Sequence, residues 1–421
     1  MSPPSSYTLT LDQQNSYDAI TQFILSPSDE IFVLAGYAGT GKSTLMANLV
    51  INFDKIIQTK HLISGTRAEQ DNTKLQFTAT TNKACEALSF ITGEEVKTIH
   101  SYLGLRVKKN YQTNKSTLSV SKAKECPANT VLVIDEASYI SKDLLTKIKY
   151  LTKNAKVIFV GDPSQLTPVS HKSSPVFDQN CPQSKLEKVM RQAEGNPIID
   201  LSKSFRDVVN GGEFFSFTPD KKNIYHLDAP AFEQKIHQEF ARADWKQKDS
   251  KILAWTNTAV IAYNQLVTQQ ISGNATFQAG DYAIVNEYFP RYQHRDLKTG
   301  ESIQISAINS AIEHDVPGYW ITTIDQYSQF MPVNLNDKQK RVHTARKNKE
   351  FSVIENINKT WIDLRAAYAC TINKAQGSTY NSVFIDLDDV SRCNNPNQLA
   401  RMLYVAVSRA AEKVYFKGDI V

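Results

Sequence analysis

The sequence predicts an α/β fold with parallel sheets, and three observations lead there. Ile31-Phe32-Val33-Leu34-Ala35, Val131-Leu132-Val133-Ile134 and Val157-Ile158-Phe159-Val160 are unbroken apolar runs, the form taken by strands covered on both faces. Each opens into a polar loop carrying glycine, carboxylate or amide. The second half of the chain repeats the pattern with Lys251-Ile252-Leu253-Ala254, Ala366-Ala367-Tyr368 and Val383-Phe384-Ile385-Asp386, followed by a helical pattern from Leu399 to Val407. This suits a second parallel sheet.

The first run leads into Gly36-Tyr37-Ala38-Gly39-Thr40-Gly41-Lys42-Ser43-Thr44 and then a helical segment. Strand, glycine loop and helix in that order form a phosphate-binding P-loop. Gly36, Gly39 and Gly41 let the backbone of Ala38, Thr40 and their neighbours turn its N–H groups toward the β-phosphate, and the helix start adds positive potential. Lys42 reaches the β/γ oxygens, and Ser43 is placed to ligate Mg²⁺. The second run ends in Asp135-Glu136, where Asp135 is placed to hold Mg²⁺ and Glu136 to polarise the attacking water as general base. The third ends in Gly161-Asp162-Pro163-Ser164-Gln165, and Gln165 sits where ligands gather in open α/β sheets, suited to sense the γ-phosphate. ATP and Mg²⁺ are the expected cofactors.

At 421 residues, 41% hydrophobic, the chain is long enough for two to four domains with cores of their own. The start Met1-Ser2-Pro3-Pro4 lacks a signal-peptide pattern, and no apolar run approaches a membrane span. The expectation is an intracellular protein without a membrane partner. Five widely spaced cysteines with no CxxC pair argue against disulfides and structural zinc. A net charge of +5 is too small to specify a partner. Its distribution says more. Arg106, Lys108, Lys109, Lys115, Lys122 and Lys124 form one basic cluster, and Lys338, Lys340, Arg341, Arg346, Lys347 and Lys349 a second. Each suits either a phosphate backbone or a solvated face. Short β-like runs such as Tyr282-Ala283-Ile284-Val285 and Tyr319-Trp320-Ile321-Thr322 make the stretch from Phe277 to Asn358 read as a small inserted barrel, with the second cluster in one of its loops.

Taken in order, these segments resemble the motifs of superfamily 1 helicases, and among them the 1B branch that contains the Dda and RecD helicases. The resemblance covers nearly the whole chain. Leu9-Thr10-Leu11-Asp12-Gln13 resembles the Q motif, which makes Gln13 the reader of the adenine edge. Gly36 to Thr44 is similar to motif I, Thr78 to Ala84 to motif Ia, Thr98-Ile99-His100-Ser101 to motif Ib, Asp135-Glu136 to motif II and Gly161 to Pro168 to motif III. Leu186 to Arg191 resembles the motif IV region and makes Arg191 a phosphate contact. Trp255-Thr256-Asn257 with Asn264 resembles the first strand and helix of the second motor domain. Thr371 to Thr379, including Gly377, is similar to motif V, and Tyr404 to Ala410 to motif VI, with Arg409 as arginine finger. Asn373, where the family often has His, and Lys83, where it often has a small residue, depart from the pattern.

The resemblance implies two RecA-like parallel-sheet P-loop NTPase domains with a short β-hairpin (pin) and an SH3-like β-barrel inserted. In these terms residues 1–104 and 130–190 form domain 1A, 105–129 the pin 1B, 191–276 and 359–421 domain 2A, and 277–358 the barrel 2B. From the residues alone, the 105–129 segment reads equally as a basic loop. The implied function is an ATP-dependent DNA helicase moving 5′ to 3′ on single strands, with strand contacts from Thr80, Thr81, Asn82, His100, Asn257 and Thr379. The alternatives are a protein-displacing translocase with weak unwinding, a 3′ to 5′ or RNA helicase of superfamily 1, and a P-loop kinase or regulatory nucleotide-binding module. Single-stranded DNA and single/double-strand junctions are the implied partners, with a single-strand-binding or replisome protein as a further one. A cytoplasmic monomer is implied, in the host cytoplasm for a phage-encoded enzyme in replication or recombination.

Overall fold

The computed structural model describes residues 8–65, 72–109, 116–120, 123–168, 173–189, 195–273, 277–334 and 336–420. Its contacts divide the chain into two compact units: Met1–Phe217 with Cys393–Ala411, and Thr218–Arg392 with Glu412–Val421.

The first unit opens with α1 (Leu11–Leu25), whose start is a capping box: Thr10 accepts from the Gln13 N–H while the Gln13 side chain accepts from the Thr10 N–H. There follow β1 (Ile31–Gly36), α2 (Lys42–Ser64), β2 (Lys74–Ala79), α3 (Asn82–Thr92), β3 (Lys97–Thr98) and α4 (Ile99–Tyr102). A two-stranded antiparallel hairpin comes next, β4 (Arg106–Lys109) with β5 (Ser116–Ser119). Then come β6 (Thr130–Asp135), α5 (Lys142–Leu151), β7 (Lys156–Gly161), β8 (Gln183–Leu186) and α6 (Pro197–Val209). Six parallel strands stand in the order β3-β2-β6-β7-β1-β8. One face buries Phe32, Leu34, Val133, Ile158 and Val160 under α1–α3, and the other buries Val33, Leu132, Ile134 and Phe159 under α5. Burial on both faces is why these runs are apolar at every position rather than alternating.

The second unit contains β9 (Ile224–Leu227), α7 (Ala229–Phe240), β10 (Ser250–Ala254) and α8 (Asn257–Ser272). A five-stranded antiparallel sheet follows from β11 (Tyr282–Val285), β12 (Ser302–Glu313), β13 (Val316–Thr323), β14 (Ser328–Pro332) and, after α9 (Asn336–Lys347) and α10 (Phe351–Thr360), β15 (Leu364–Ala366). The chain then returns through β16 (Ala369–Thr371), α11 (Ile372–Ala375), β17 (Tyr380–Asp386) and α12 (Leu387–Val390). After α13 (Pro396–Val407), β18 (Ala410–Lys417) completes a sheet in the order β16-β10-β17-β18-β9. The neighbours β16–β10, β10–β17 and β18–β9 are parallel. Phe384 stacks on Tyr415 at 4.6 Å and meets Phe232 edge-on at 5.6 Å. The buried Asn264 amide pins the sheet's edge: its oxygen accepts from the Tyr368 and Ala369 N–H groups, and its nitrogen donates to the Ala369 carbonyl.

Three features differ from the sequence reading. The strand expected at Ala366–Tyr368 is interrupted: Ala366 ends an antiparallel pairing with Ala283, and Ala369 begins a parallel one with Ile252. The second basic cluster is helical rather than a loop. Along α9 the apolar residues that turn inward are Val342 and Ala345, too few to form the apolar stripe that would announce a helix. Two of its cations reach beyond the helix, Lys338 donating to the Trp361 carbonyl and Arg341 bridging the His314 carbonyl and Glu350, while Lys340 pairs with Asp337 within it. Finally, residues 195–217 and 393–411 group with the first unit, whereas the sequence placed them in the second domain. The two segments meet in a small apolar seam of Val208, Val209 and Ala400 between α6 and α13, joined by Asn397 donating to the Val209 carbonyl, and α13 is tied to the rest of the unit by Tyr404 donating to Asp162 and Arg401 to the Pro163 carbonyl.

Candidate active site

The strand order puts the sequence-predicted site together. In the order β2-β6-β7-β1, the C-terminal ends deliver Thr80, Asp135-Glu136, Asp162 and the P-loop side by side, with Ala79 level with Asp135 and Ala35 level with Gly161. Gly39 and Gly41 have φ of 79° and 82°, the left-handed conformation that side chains resist. A Cβ on Gly41 would also lie 2.2 Å from the Gln13 amide nitrogen. Thr40 closes the loop by donating from its hydroxyl to the Tyr37 carbonyl at 2.9 Å, and Lys42 donates to the Gly36 and Tyr37 carbonyls at 2.6 and 2.9 Å. Ser43 and Thr44 follow in the first turn of α2. Gln13 is buried, with its amide oxygen engaged at Thr10 and its nitrogen donating to the Thr40 carbonyl at 3.1 Å. Here it braces the loop that cradles phosphate.

Asp135 accepts from the Glu136 N–H at 2.8 Å. Glu136 itself stands at φ 54°, ψ 42°, a left-handed conformation costing a non-glycine residue about 1–2 kcal/mol. Thr80 fixes that turn: its hydroxyl donates to the Glu136 carbonyl at 3.0 Å and its N–H to the Asp135 carbonyl at 3.2 Å. Burial and the neighbouring Asp135 charge push the Glu136 carboxyl up to about 7, against the opposing pull of Lys42 and Arg409. Burial also raises Asp135, opposed by the Glu136 N–H and Lys42. A carboxyl near 7 beside a lysine and an arginine is poised for proton transfer at neutral pH.

Arg409 is buried, its guanidinium donating to the Val405 carbonyl at 3.1 Å and the Ser408 hydroxyl at 2.8 Å. Gln165 is buried in the turn after β7. Arg191 lies outside the described residues. Of the expected strand contacts, Thr81 caps α3 by accepting from the Ala84 N–H, Asn82 opens that helix, and His100 on α4 has its imidazole pKa lowered by burial. Asn257, Gly377 and Thr379 belong to the second unit. Asn257 follows the C-terminal end of β10, held there by Asp389, which accepts from the Trp255 and Thr256 N–H groups and the Thr256 hydroxyl. Thr379 precedes the N-terminal end of β17, which is parallel to β10, so the two stand at opposite edges of one sheet. Gly377 takes φ 80° in the turn between α11 and β17.

Two residues of α13 were not singled out from sequence. The Tyr404 hydroxyl donates to Asp162 at 2.6 Å and accepts from the Ala38 N–H at 3.0 Å. Burial and the Asp162 charge raise its pKa far above the ordinary phenol value, so it stays a donor. Arg401 donates to the Pro163 and Gln165 carbonyls, both at 2.7 Å. The available signal was a tyrosine and an arginine three residues apart on one helical face.

An AAA domain family model matches residues 10–224, and a UvrD-like helicase C-terminal domain model matches residues 366–416. The ATP-dependent DNA helicase dda of Enterobacteria phage T4 is 24% identical, covering 97% of this chain and 99% of its own. The RecBCD enzyme subunit RecD of Buchnera aphidicola is 23% identical over 93% of this chain and 71% of its own. In fold, the chain is similar to a Pif1 helicase from Bacteroides solved with ADP-AlF3 and ssDNA, at TM-score 0.52 and 16% identity, over 99% of this chain and 94% of that one. With the first match spanning half of its length the chain belongs to the AAA domain family, and with helicase relatives matching it nearly end to end it is a Dda/RecD-like superfamily 1B helicase.

Proposed function

We infer that this ATP-dependent DNA helicase moves 5′ to 3′ along single-stranded DNA and opens duplex at single/double-strand junctions. The observation that carries the coupling is the Thr80 hydroxyl on the Glu136 carbonyl: the segment assigned to the DNA strand is bonded to the residue assigned to activate water. Thr80, Thr81, Asn82 and His100 would position the strand of the first unit, with Asn257 contributing from the second. Hydroxyl and amide groups suit this because they hold phosphates without reading sequence. The β4–β5 hairpin is the proposed pin and the five-stranded antiparallel sheet the proposed SH3-like insertion; the pin's expected tip, residues 110–115, lies outside the described residues.

Ser43 and Asp135 would hold Mg²⁺. A hydroxyl and a carboxylate are oxygen donors of the kind Mg²⁺ takes with phosphates and water, and the ion would neutralise charge on the transferring phosphoryl group. Lys42 would hold the phosphates, Glu136 accept the proton of the attacking water, and Gln165 and Arg191 contact the terminal phosphate. Among the described residues no helix is long and apolar enough to cross a membrane.

Partial duplexes with a 5′ or a 3′ single-stranded tail, incubated with ATP and Mg²⁺, test the reading. Unwinding from the 5′ tail alone, lost in Lys42→Ala, is the expected result. Preference for the 3′ tail would reverse the polarity, and ATP hydrolysis without strand separation would make the protein a translocase.

A further inference from the structure

We infer that Tyr404 is a positioning residue for hydrolysis, a clamp that fixes the arginine-bearing helix to the phosphate loop and to the turn carrying Gln165. Its single hydroxyl serves two segments distant in sequence, donating to Asp162 after β7 and accepting from the Ala38 N–H after β1. One turn earlier on the same helix, Arg401 holds the Pro163 and Gln165 carbonyls. Asp162 is itself fixed, its other oxygen accepting from the Ser164 N–H at 2.9 Å. Arg409 lies five residues beyond Tyr404, and its guanidinium is tied to the Val405 carbonyl and Ser408 hydroxyl at the end of α13. The position of Arg409 against Glu136 is therefore set by where α13 is anchored. A displacement of about 1 Å at a reacting centre costs on the order of 10²-fold, so the anchor governs rate more than nucleotide affinity, which Lys42 and the other loop amides supply.

This inference rests on the ATP-hydrolysing reading of the site, and the wild-type rate separates the two. Failure of wild type to hydrolyse ATP would overturn that reading itself. Given wild-type activity, Tyr404→Phe keeps the ring and removes the hydroxyl. Its kcat is expected to fall roughly ten- to hundredfold, as for loss of a hydrogen bond to a charged group, with KM for ATP within about threefold. Asp162→Ala should give a similar loss, and Asp162→Asn, which keeps an acceptor, should recover most of the rate. The double variant Tyr404→Phe/Asp162→Ala should lose clearly less than the product of the two single losses, since both single variants remove the shared Tyr404–Asp162 bond. A Tyr404→Phe kcat within twofold of wild type, or losses that multiply in the double variant, would overturn the clamp. Should Tyr404→Phe fail to fold, as read by thermal melting, the two Asp162 variants decide: a gap of tenfold or more between them supports the clamp, and equal rates overturn it.

Discussion

Arg409→Ala is expected to lower ATP hydrolysis by roughly 10³ to 10⁵ while ATP binding stays within a few-fold, the signature of an arginine that acts on transition-state charge. Its guanidinium is buried at 2% exposure and held at Nε and Nη2, so its charge is preorganised and poorly screened by water. It is also close enough to oppose the upward shift of the Glu136 carboxyl, so its removal should move the pH dependence of turnover to higher pH. Arg409→Lys should recover little, because an ammonium lacks the planar fork. Single-turnover hydrolysis beside equilibrium binding of a fluorescent ATP analogue separates the two effects. Equal losses in binding and rate would make Arg409 an affinity residue.

Glu136→Gln should be nearly as damaging, lowering kcat by roughly 10² to 10⁴, the range for a general base. The substitution keeps the size of the side chain, and the backbone bonds from Thr80 and Tyr139 to its carbonyl do not depend on the carboxyl, so fold and nucleotide affinity should persist. The sign of the pH effect follows from the raised carboxyl. Below about 7 Glu136 carries a proton and cannot accept one, and above it the base is free. For wild type, kcat/KM for ATP should rise from pH 6 to 8 with an apparent pKa near 7, belonging to the Asp135–Glu136 pair rather than to either residue alone. This limb should vanish in Glu136→Gln. A flat wild-type profile, or a Gln variant within tenfold of wild type, would remove Glu136 from the base role.

What the sequence disclosed and what it hid divide along chain distance. The strands ending at Gly36, Asp135 and Gly161 were readable because burial on both faces leaves a local apolar run, and the P-loop because its chemistry is contiguous. The role of Tyr404 was not readable, since its partners Asp162 and Ala38 lie 242 and 366 residues away. Thr80 was read as a strand contact from its motif, but its hydroxyl's bond to the Glu136 carbonyl depends on β2 lying beside β6, which only the sheet order reveals. Gln13 was placed by motif, whereas its double engagement with Thr10 and Thr40 requires the fold. In the second unit, the strand near Ala366 was seen but not its division between two sheets. The reason is that three apolar residues carry no record of which neighbour they pair with.

The most direct test of the account is the rate of ATP hydrolysis with and without single-stranded DNA. An ATPase strongly stimulated by the strand, and abolished in Lys42→Ala, is the predicted result. Hydrolysis that is indifferent to DNA would contradict it and leave a nucleotide-binding module that is not a motor.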